Sequence, residues 1–319
     1  MNFSPAPSST SRPPASGPST CDEVVSRLMA SFRSPSYRPP TLPTVAVELM
    51  DLVQRTDVNV EIVTAKLEQD PLLAAHVLKL VSSAAYAGRM QITTLKQAVV
   101  RLGLSTIRDV VMEASLNVQL FRGDGYSESR ESLRRHSLAT GHLARLVCSA
   151  TTVDPEYAFL CGLLHDLGTA GALLALAQLG RGKPPWSLLE LWPAIDPMHP
   201  ELSALIAKLW KLPPEIEDVL RCHHSLDAKG PALGLSCIVM VAEQMATDLG
   251  YGFSVPTTTV ESDLAVQSAA PGPAFDGTPK AIYDAAVAHL KMTPAQLATT
   301  RVSAQVKLDA AFGGGATKS

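Results

Sequence analysis

From Leu42 onward the hydrophobic residues of this chain recur at helical spacing, and most of the runs are closed by glycine or proline. Val45, Leu49, Leu52 and Val53 share one face of a segment that begins near Thr44, and Val60, Val63 and Leu67 share one face of the next. Asp70-Pro71 reads as a helix start, because the carboxylate accepts from first-turn N–H groups and proline fits there. The run LLAAHVLKLVSSAAYAG follows and stops at Gly88. Thr94 caps LKQAVVRLG, which Gly103 closes, and Ser105 opens TIRDVVMEASLNVQLF. Beyond Gly123-Asp124-Gly125, Ser127 to Ala150 reads as one long helix, and Asp154-Pro155 caps another that reaches Leu164. Further helices are expected at 167–179, 199–211, 213–222, 232–249, 279–290 and 294–311. No convincing period-two alternation interrupts them, so the pattern confines the chain to an all-α fold.

Composition says what must fill the cores and what the surface excludes. Hydrophobic residues make up 46% of the 319 residues but aromatics only 5%, so Leu, Val, Ile and Ala carry the packing. A net charge of −3 offers no general attraction to nucleic acid. Arg134, Arg135 and Arg145 are the densest basic group and read as a solvated helix face. Cys21, Cys148, Cys161, Cys222 and Cys237 form no CxxC pair, and Cys148 and Cys161 sit among aliphatic residues as buried free thiols do. That usage points to a reducing compartment and a cytoplasmic protein. No apolar leader is read at the N-terminus, and the most apolar run, Gly168 to Ala177, is about half the length of a membrane span. Residues 1–40 are expected to be a disordered Ser/Pro-rich tail with a short helix over Cys21 to Phe32, and 251–278 a flexible loop.

His136, His165-Asp166, His199, His223-His224 and Glu243 fall within or at the ends of these helices. They are separated by roughly 20 to 35 residues, about one helical hairpin each, so every return of the chain can present a ligand to a shared centre. Neutral imidazoles and carboxylates are what divalent transition metals bind, and an adjacent His-Asp pair suits a two-metal site. His142 is expected at the surface or behind the ligands, and His76 and His289 have structural roles. Trp210 is expected to pack the hairpin before Leu212-Pro213.

The phrase GLLHDLG, Gly162 to Gly168, with an upstream histidine in RRHSLATGHLARL, resembles the HD superfamily of metal-dependent phosphohydrolases, and more specifically its HDOD branch. The resemblance starts at Leu42-Pro43 and runs through LEQDPLLAAHVLKLVSSAAYAG and ITTLKQAVVRLGLSTIRDVV. It resumes with MHPELSALIAKLWKLPPEIEDVLRCHHS and ends in IVMVAEQMA, spanning residues 40–250. It implies an N-terminal helical subdomain at 41–122 packed on an HD-like helical subdomain at 123–250; the C-terminal helices at 279–312, read from their own periodicity, lie beyond it.

The resemblance further implies that His136, His165, Asp166, His199, His223 and His224 are metal ligands, with Fe or Mn as the ion. Three positions depart from the hydrolytic HD-GYP relatives, which cleave cyclic di-GMP. Glu243 stands where the final Asp is expected, Thr169 replaces a phosphate-binding lysine, and Ser225-Leu226-Asp227 follows where a Gly-Tyr-Pro loop would lie. The expected function is therefore a bacterial signalling module: a non-catalytic scaffold with a metal-capable HD pocket that binds a signalling protein or a nucleotide, away from membranes. The alternative is a metal-dependent phosphohydrolase acting on a nucleotide or phosphodiester, in which Asp166 is the catalytic residue. No separate organic cofactor site is expected.

Overall fold

The computed structural model describes residues 21–35, 37–53, 58–83, 86, 92–121, 125–179, 186–253, 255 and 278–312, and every regular element among them is helical. The N-terminal helices are α1 (Cys21–Arg33), α2 (Thr44–Val53), α3 (Val60–Glu68), α4 (Pro71–Val81), α5 (Leu95–Leu102) and α6 (Leu104–Gln119). Then come α7 (Ser127–Ser149), α8 (Ala158–Leu164), α9 (Leu167–Leu179), α10 (Leu188–Ile195), α11 (His199–Leu209), α12 (Pro214–Cys222) and α13 (Pro231–Ala246). A wide turn, Thr247–Tyr251, extends α13, and α14 (Pro279–His289) and α15 (Pro294–Phe312) complete the described chain. Residues 1–20 and most of the expected loop at 251–278 lie outside the described residues.

Local chemistry accounts for many of the starts. The Asn59 carboxamide oxygen accepts from Ile62 N–H at 2.9 Å, and Asp70 accepts from Leu73 N–H at 3.0 Å. Thr94 and Gln97 form a reciprocal capping box. Each such cap contributes about 1 kcal/mol. The structure departs from the periodicity in four places. Helix α8 begins at Ala158, so Asp154-Pro155 does not cap it, and the Asp154 carboxylate accepts instead from Glu156 N–H at 2.9 Å in the turn before it. Helix α4 ends at Val81 rather than at Gly88, which lies outside the described residues. Helix α6 begins at Leu104 with Gly103 in the capping position, so Ser105 lies within the first turn. Helix α10 was not expected: Pro193 lies inside it, and its boundaries are set by a Ser187–Glu190 capping box and by burial of Leu188, Leu191 and Ile195.

Two apolar cores result. Val45, Leu49, Val63, Leu67, Leu73, Val77, Val81 and Val99 from α2 to α5 form the smaller one. The larger is built from α7 to α15, and α1 joins it through Val24, Leu28 and Phe32. Helix α6 belongs to both: Ile107, Val110, Val111 and Ala114 face the small core, whereas Met112, Leu116 and Leu120 face the large one. Those two stripes follow the 3.6-residue period on opposite sides of one helix. Within Ala158–Leu179 an 18-residue window has a mean hydropathy of 1.6, apolar enough to cross a bilayer, yet 89% of that window is buried in this core.

A polar seam runs beside the shared helix. Buried Arg108 donates to the Asp109 carboxylate at 2.9 Å and pairs with Glu156, while Arg145 also pairs with Asp109 and lies 4.7 Å over the Phe159 ring. Arg134 pairs with Glu131 at 2.6 Å, and Arg135 sits 5.5 Å from the ring centres of both Tyr251 and Phe312. Arg135 and Arg145 are therefore engaged by aromatic rings and an acid that tertiary packing brings to them, whereas Arg134 keeps a local pair with the half-exposed Glu131 of its own helix. His142 is buried between Phe159 and Tyr86, at ring separations of 5.3 and 6.0 Å, rather than at the surface. Burial lowers its pKa to about 3, so it is neutral. Trp210 does more than pack, since its indole N–H donates to the Pro40 carbonyl at 2.8 Å.

Glu113 of α6 lies buried in the same seam and accepts from the Tyr86 hydroxyl at 3.2 Å. Burial pushes its carboxyl up to about 7 from an ordinary value of 4.5. The folded chain thus keeps a proton that the unfolded chain has released, so the Glu113 contribution is complete below about pH 4.5 and declines as the pH rises through 7. Against Glu113→Gln, the wild type is expected to lose roughly 3 kcal/mol of relative stability across that window, an upper bound from the shift. Urea unfolding of both proteins at pH 5 and pH 7.5 checks this: a difference that does not change with pH contradicts it.

Candidate metal centre

The seven polar residues singled out in the sequence converge on one point of the large core. His136 projects from the middle of α7, and His165 and Asp166 occupy the junction of α8 with α9. His199 opens α11, His223 and His224 follow the end of α12, and Glu243 lies in α13. Two triads form. In each of them, His136–His165–Glu243 and His199–His223–His224, the ligand atoms lie within 4.8 Å of one another. Asp166 spans the pair: Oδ2 is 3.5 Å from His165 Nε2 and 3.7 Å from His136 Nε2, and Oδ1 is 3.3 Å from His199 Nε2. His224 Nδ1 stands 3.8 Å from Glu243 Oε2, closing the ring on the more exposed side.

Helix packing produces this convergence. A Cβ on Gly162 would meet the Thr140 carbonyl at 2.7 Å, so only glycine lets α8 approach α7 closely enough to align His165 with His136. A Cβ on Gly168 would meet the His199 carbonyl at 2.2 Å and Ser203 N at 2.8 Å. The glycine two residues after Asp166 is thus what lets the carboxylate lie against α11. Ser203 reinforces the joint, donating to the His165 carbonyl at 2.7 Å and accepting from Gly168 N–H at 2.8 Å.

Tautomers follow from the hydrogen bonds. Nδ1–H of His165 donates to the Gly162 carbonyl at 2.8 Å, and that of His223 donates to the Leu220 carbonyl at 2.7 Å. His199 uses the Asp196 carbonyl in the same way, and His136 uses the Tyr251 carbonyl at 2.9 Å. A carbonyl only accepts, so each Nδ1 carries the proton and each Nε2 presents a lone pair inward. Those inward nitrogens face one another at 3.1 Å in the pairs His136–His165 and His199–His223. His224 Nε2 also lies 3.1 Å from His199 Nε2, but no carbonyl among the described residues fixes its ring, so it is free to donate there.

Protonation is not the remedy at neutral pH. Burial lowers His165 to about 3, drives His223 well below its ordinary range, and also lowers His199 and His224. Burial opposes ionisation of Asp166, but the surrounding histidines outweigh it and pull the carboxyl down to about 2. Burial raises Glu243 to about 7. Neutral imidazole lone pairs around an ionised carboxylate are the donor set of a divalent transition metal. The spacing fits as well: nitrogens about 2.1 Å from a shared ion and at right angles lie about 3 Å apart. Both histidine clusters can therefore hold a divalent metal.

An HDOD domain model matches residues 40–181, and an HD domain model matches residues 133–248, overlapping it across α7 to α9. The chain carries an HDOD domain. An uncharacterized protein from Treponema pallidum (strain Nichols) is 28% identical over 211 residues, 63% of this chain and 40% of that protein, so this chain spans under half of that relative's length. Among solved structures, a protein from Shewanella amazonensis SB2B, named provisionally as a metal-dependent phosphohydrolase, aligns with a TM-score of 0.66 at 19% identity, over 91% of this chain and 98% of that one. A protein from Marinobacter aquaeolei VT8, named provisionally for signal transduction, aligns with a TM-score of 0.62 at 16% identity, over 92% of this chain and 65% of that one. At these identities the two structures share the fold with the HDOD chain.

The groups that sequence reading misses here are backbone carbonyls. Those of Gly162, Asp196 and Leu220 stand three residues before the histidine they orient, a spacing that is legible once the ligands are known. The Tyr251 carbonyl has no such signal, since it lies 115 residues from His136. Gly168→Ala is expected to destabilise the metal-free HDOD chain by about 1–3 kcal/mol, because the new methyl group must separate α9 from α11. Denaturant unfolding measures it; wild-type stability in the variant would contradict the close approach.

Proposed function

We propose that this chain is a signalling module whose HD half holds two divalent transition-metal ions, Fe or Mn, and serves as a scaffold that a partner protein or a nucleotide engages without being hydrolysed. The observation that carries the reading is the set of tautomer-locked Nε2 lone pairs turned on one another around Asp166. His136, His165 and Glu243 would hold one ion and His199, His223 and His224 the other, with Asp166 between them. Such a pair of ions lowers the pKa of a bound water and stabilises charge on a phosphoryl group.

The reading stops short of hydrolysis for reasons specific to this chain. A phosphoryl-transfer site also needs cations placed for the developing charge. Thr169 stands where the hydrolytic relatives carry lysine; it is fully buried, and its hydroxyl finds no hydrogen-bond partner among the described residues. Ser225-Leu226-Asp227 follows the histidine pair in place of a Gly-Tyr-Pro loop. The completeness of the ligand set favours the second reading, a metal-dependent phosphohydrolase of nucleotides or phosphodiesters, with Asp166 as its catalytic residue. Both readings place the protein in the cytoplasm.

Protein purified without chelator is expected to carry two transition-metal ions per chain by elemental analysis, and Asp166→Ala to lose them with its helical circular dichroism intact. A wild type that is folded and metal-free overturns the proposal. The metal-loaded protein is expected to leave cyclic di-GMP and bis(p-nitrophenyl) phosphate uncleaved over hours. Turnover that disappears in Asp166→Ala would establish the phosphohydrolase instead.

A further inference from the structure

Of the four buried histidines of the centre, three take their orienting carbonyl from three residues earlier in the chain, where helix ends leave carbonyls without helical partners. His136 cannot. It stands in the middle of α7, where each backbone carbonyl already accepts from the next turn, and its Nδ1–H reaches the Tyr251 carbonyl in the turn after α13. The orientation of this one ligand is therefore set by whatever holds Tyr251.

Helix α15 holds it. The Tyr251 ring is buried and stacked on Phe312, with centroids 4.8 Å apart and planes inclined by 28°. The guanidinium of Arg135, next to His136 on α7, lies 5.5 Å from each of these two ring centres. One helical stretch earlier, Arg301 of α15 pairs with Asp248 of the same turn at 2.9 Å. The turn is thus gripped at Asp248 and at Tyr251 by residues eleven positions apart on α15. Toward the other subdomain, Lys307 of this helix lies 5.4 Å over the Tyr86 ring. Tyr251, Arg301 and Phe312 all lie beyond residue 248, where the HD match ends.

We infer that α15 is a strap that positions a metal ligand: Phe312 stacks on Tyr251, fixing the carbonyl that keeps His136 in its Nδ1–H form with Nε2 toward the metal. Phe312 and Tyr251 are positioning residues and touch no ion. The inference rests on the metal-holding reading above, and it separates the two triads. Only the one containing His136 depends on α15.

Full-length wild type, Phe312→Ala, Phe312→Tyr and Val306→Ala, the last altering an exposed site on the same helix, are stripped of metal and titrated with Mn2+ by calorimetry. Imidazole 15N shifts are recorded on the metal-free proteins. Wild type and Val306→Ala are expected to bind two ions, and Phe312→Ala to bind one of them about tenfold more weakly, the usual effect of losing an orienting partner behind a ligand. Phe312→Tyr retains the stack and should restore both. In a His224→Ala background, where the His136 triad alone stays whole, the same loss is expected from Phe312→Ala. Equal weakening of both sites, or two sites of wild-type affinity in Phe312→Ala, overturns the strap. If wild type takes up no Mn2+, the metal reading fails and the 15N shifts decide alone. A His136 that loses its single Nδ1–H form in Phe312→Ala supports the strap, and an unchanged one overturns it.

Discussion

Imidazole N–H groups donating outward to backbone carbonyls are the interaction on which the centre depends. Each bond satisfies one buried donor and, by fixing the tautomer, turns a lone pair toward the others. Leaving a buried polar group without a partner costs about 1–3 kcal/mol. Lone pairs facing each other at 3.1 Å in His136–His165 and His199–His223 are therefore a standing penalty that a cation would remove. The helices around the centre are packed closely enough to hold that arrangement. Gly162 and Gly168 admit contacts that any Cβ would forbid, so the ligands cannot simply spread apart.

The rest of the fold can be read as support for that geometry. Helix α6 carries an apolar stripe on each side, so the small N-terminal core and the large one are connected through a shared rigid element. The seam beside it is polar and buried: Arg108 and Arg145 meet Asp109, Arg108 also meets Glu156, and Glu113 meets Tyr86. A buried ionic group left without its partner is costly, so each of these side chains depends on the segment that carries its partner. Helix α15 lies against α7 and touches both sides, through Lys307 on Tyr86 and Phe312 on Tyr251.

Local physics made much of this legible beforehand. The caps at Asp70 and Thr94, the long helix beyond Tyr126 and the helical spacing of the ligands all follow from interactions within a few residues. The failures share a cause. Helix α10 carries an internal proline, and its apolar residues are organised by the core they enter. Arg135 and Arg145 read as part of a solvated face because Tyr251 and Phe312, and Asp109, lie far from them in sequence. His142 is buried by Tyr86 and Phe159, partners that its own helix does not supply.

The sequence by itself determined the all-α class, most helix starts, and the identity and order of the seven polar residues, because periodicity, capping and ligand chemistry are local properties. Only the tertiary structure decided that these residues form two triads spanned by one carboxylate, and which nitrogen of each ring faces inward. Three of those ring orientations come from a carbonyl three residues back. The fourth comes from Tyr251, and through it from α15, because a mid-helix histidine has no free carbonyl of its own to bind.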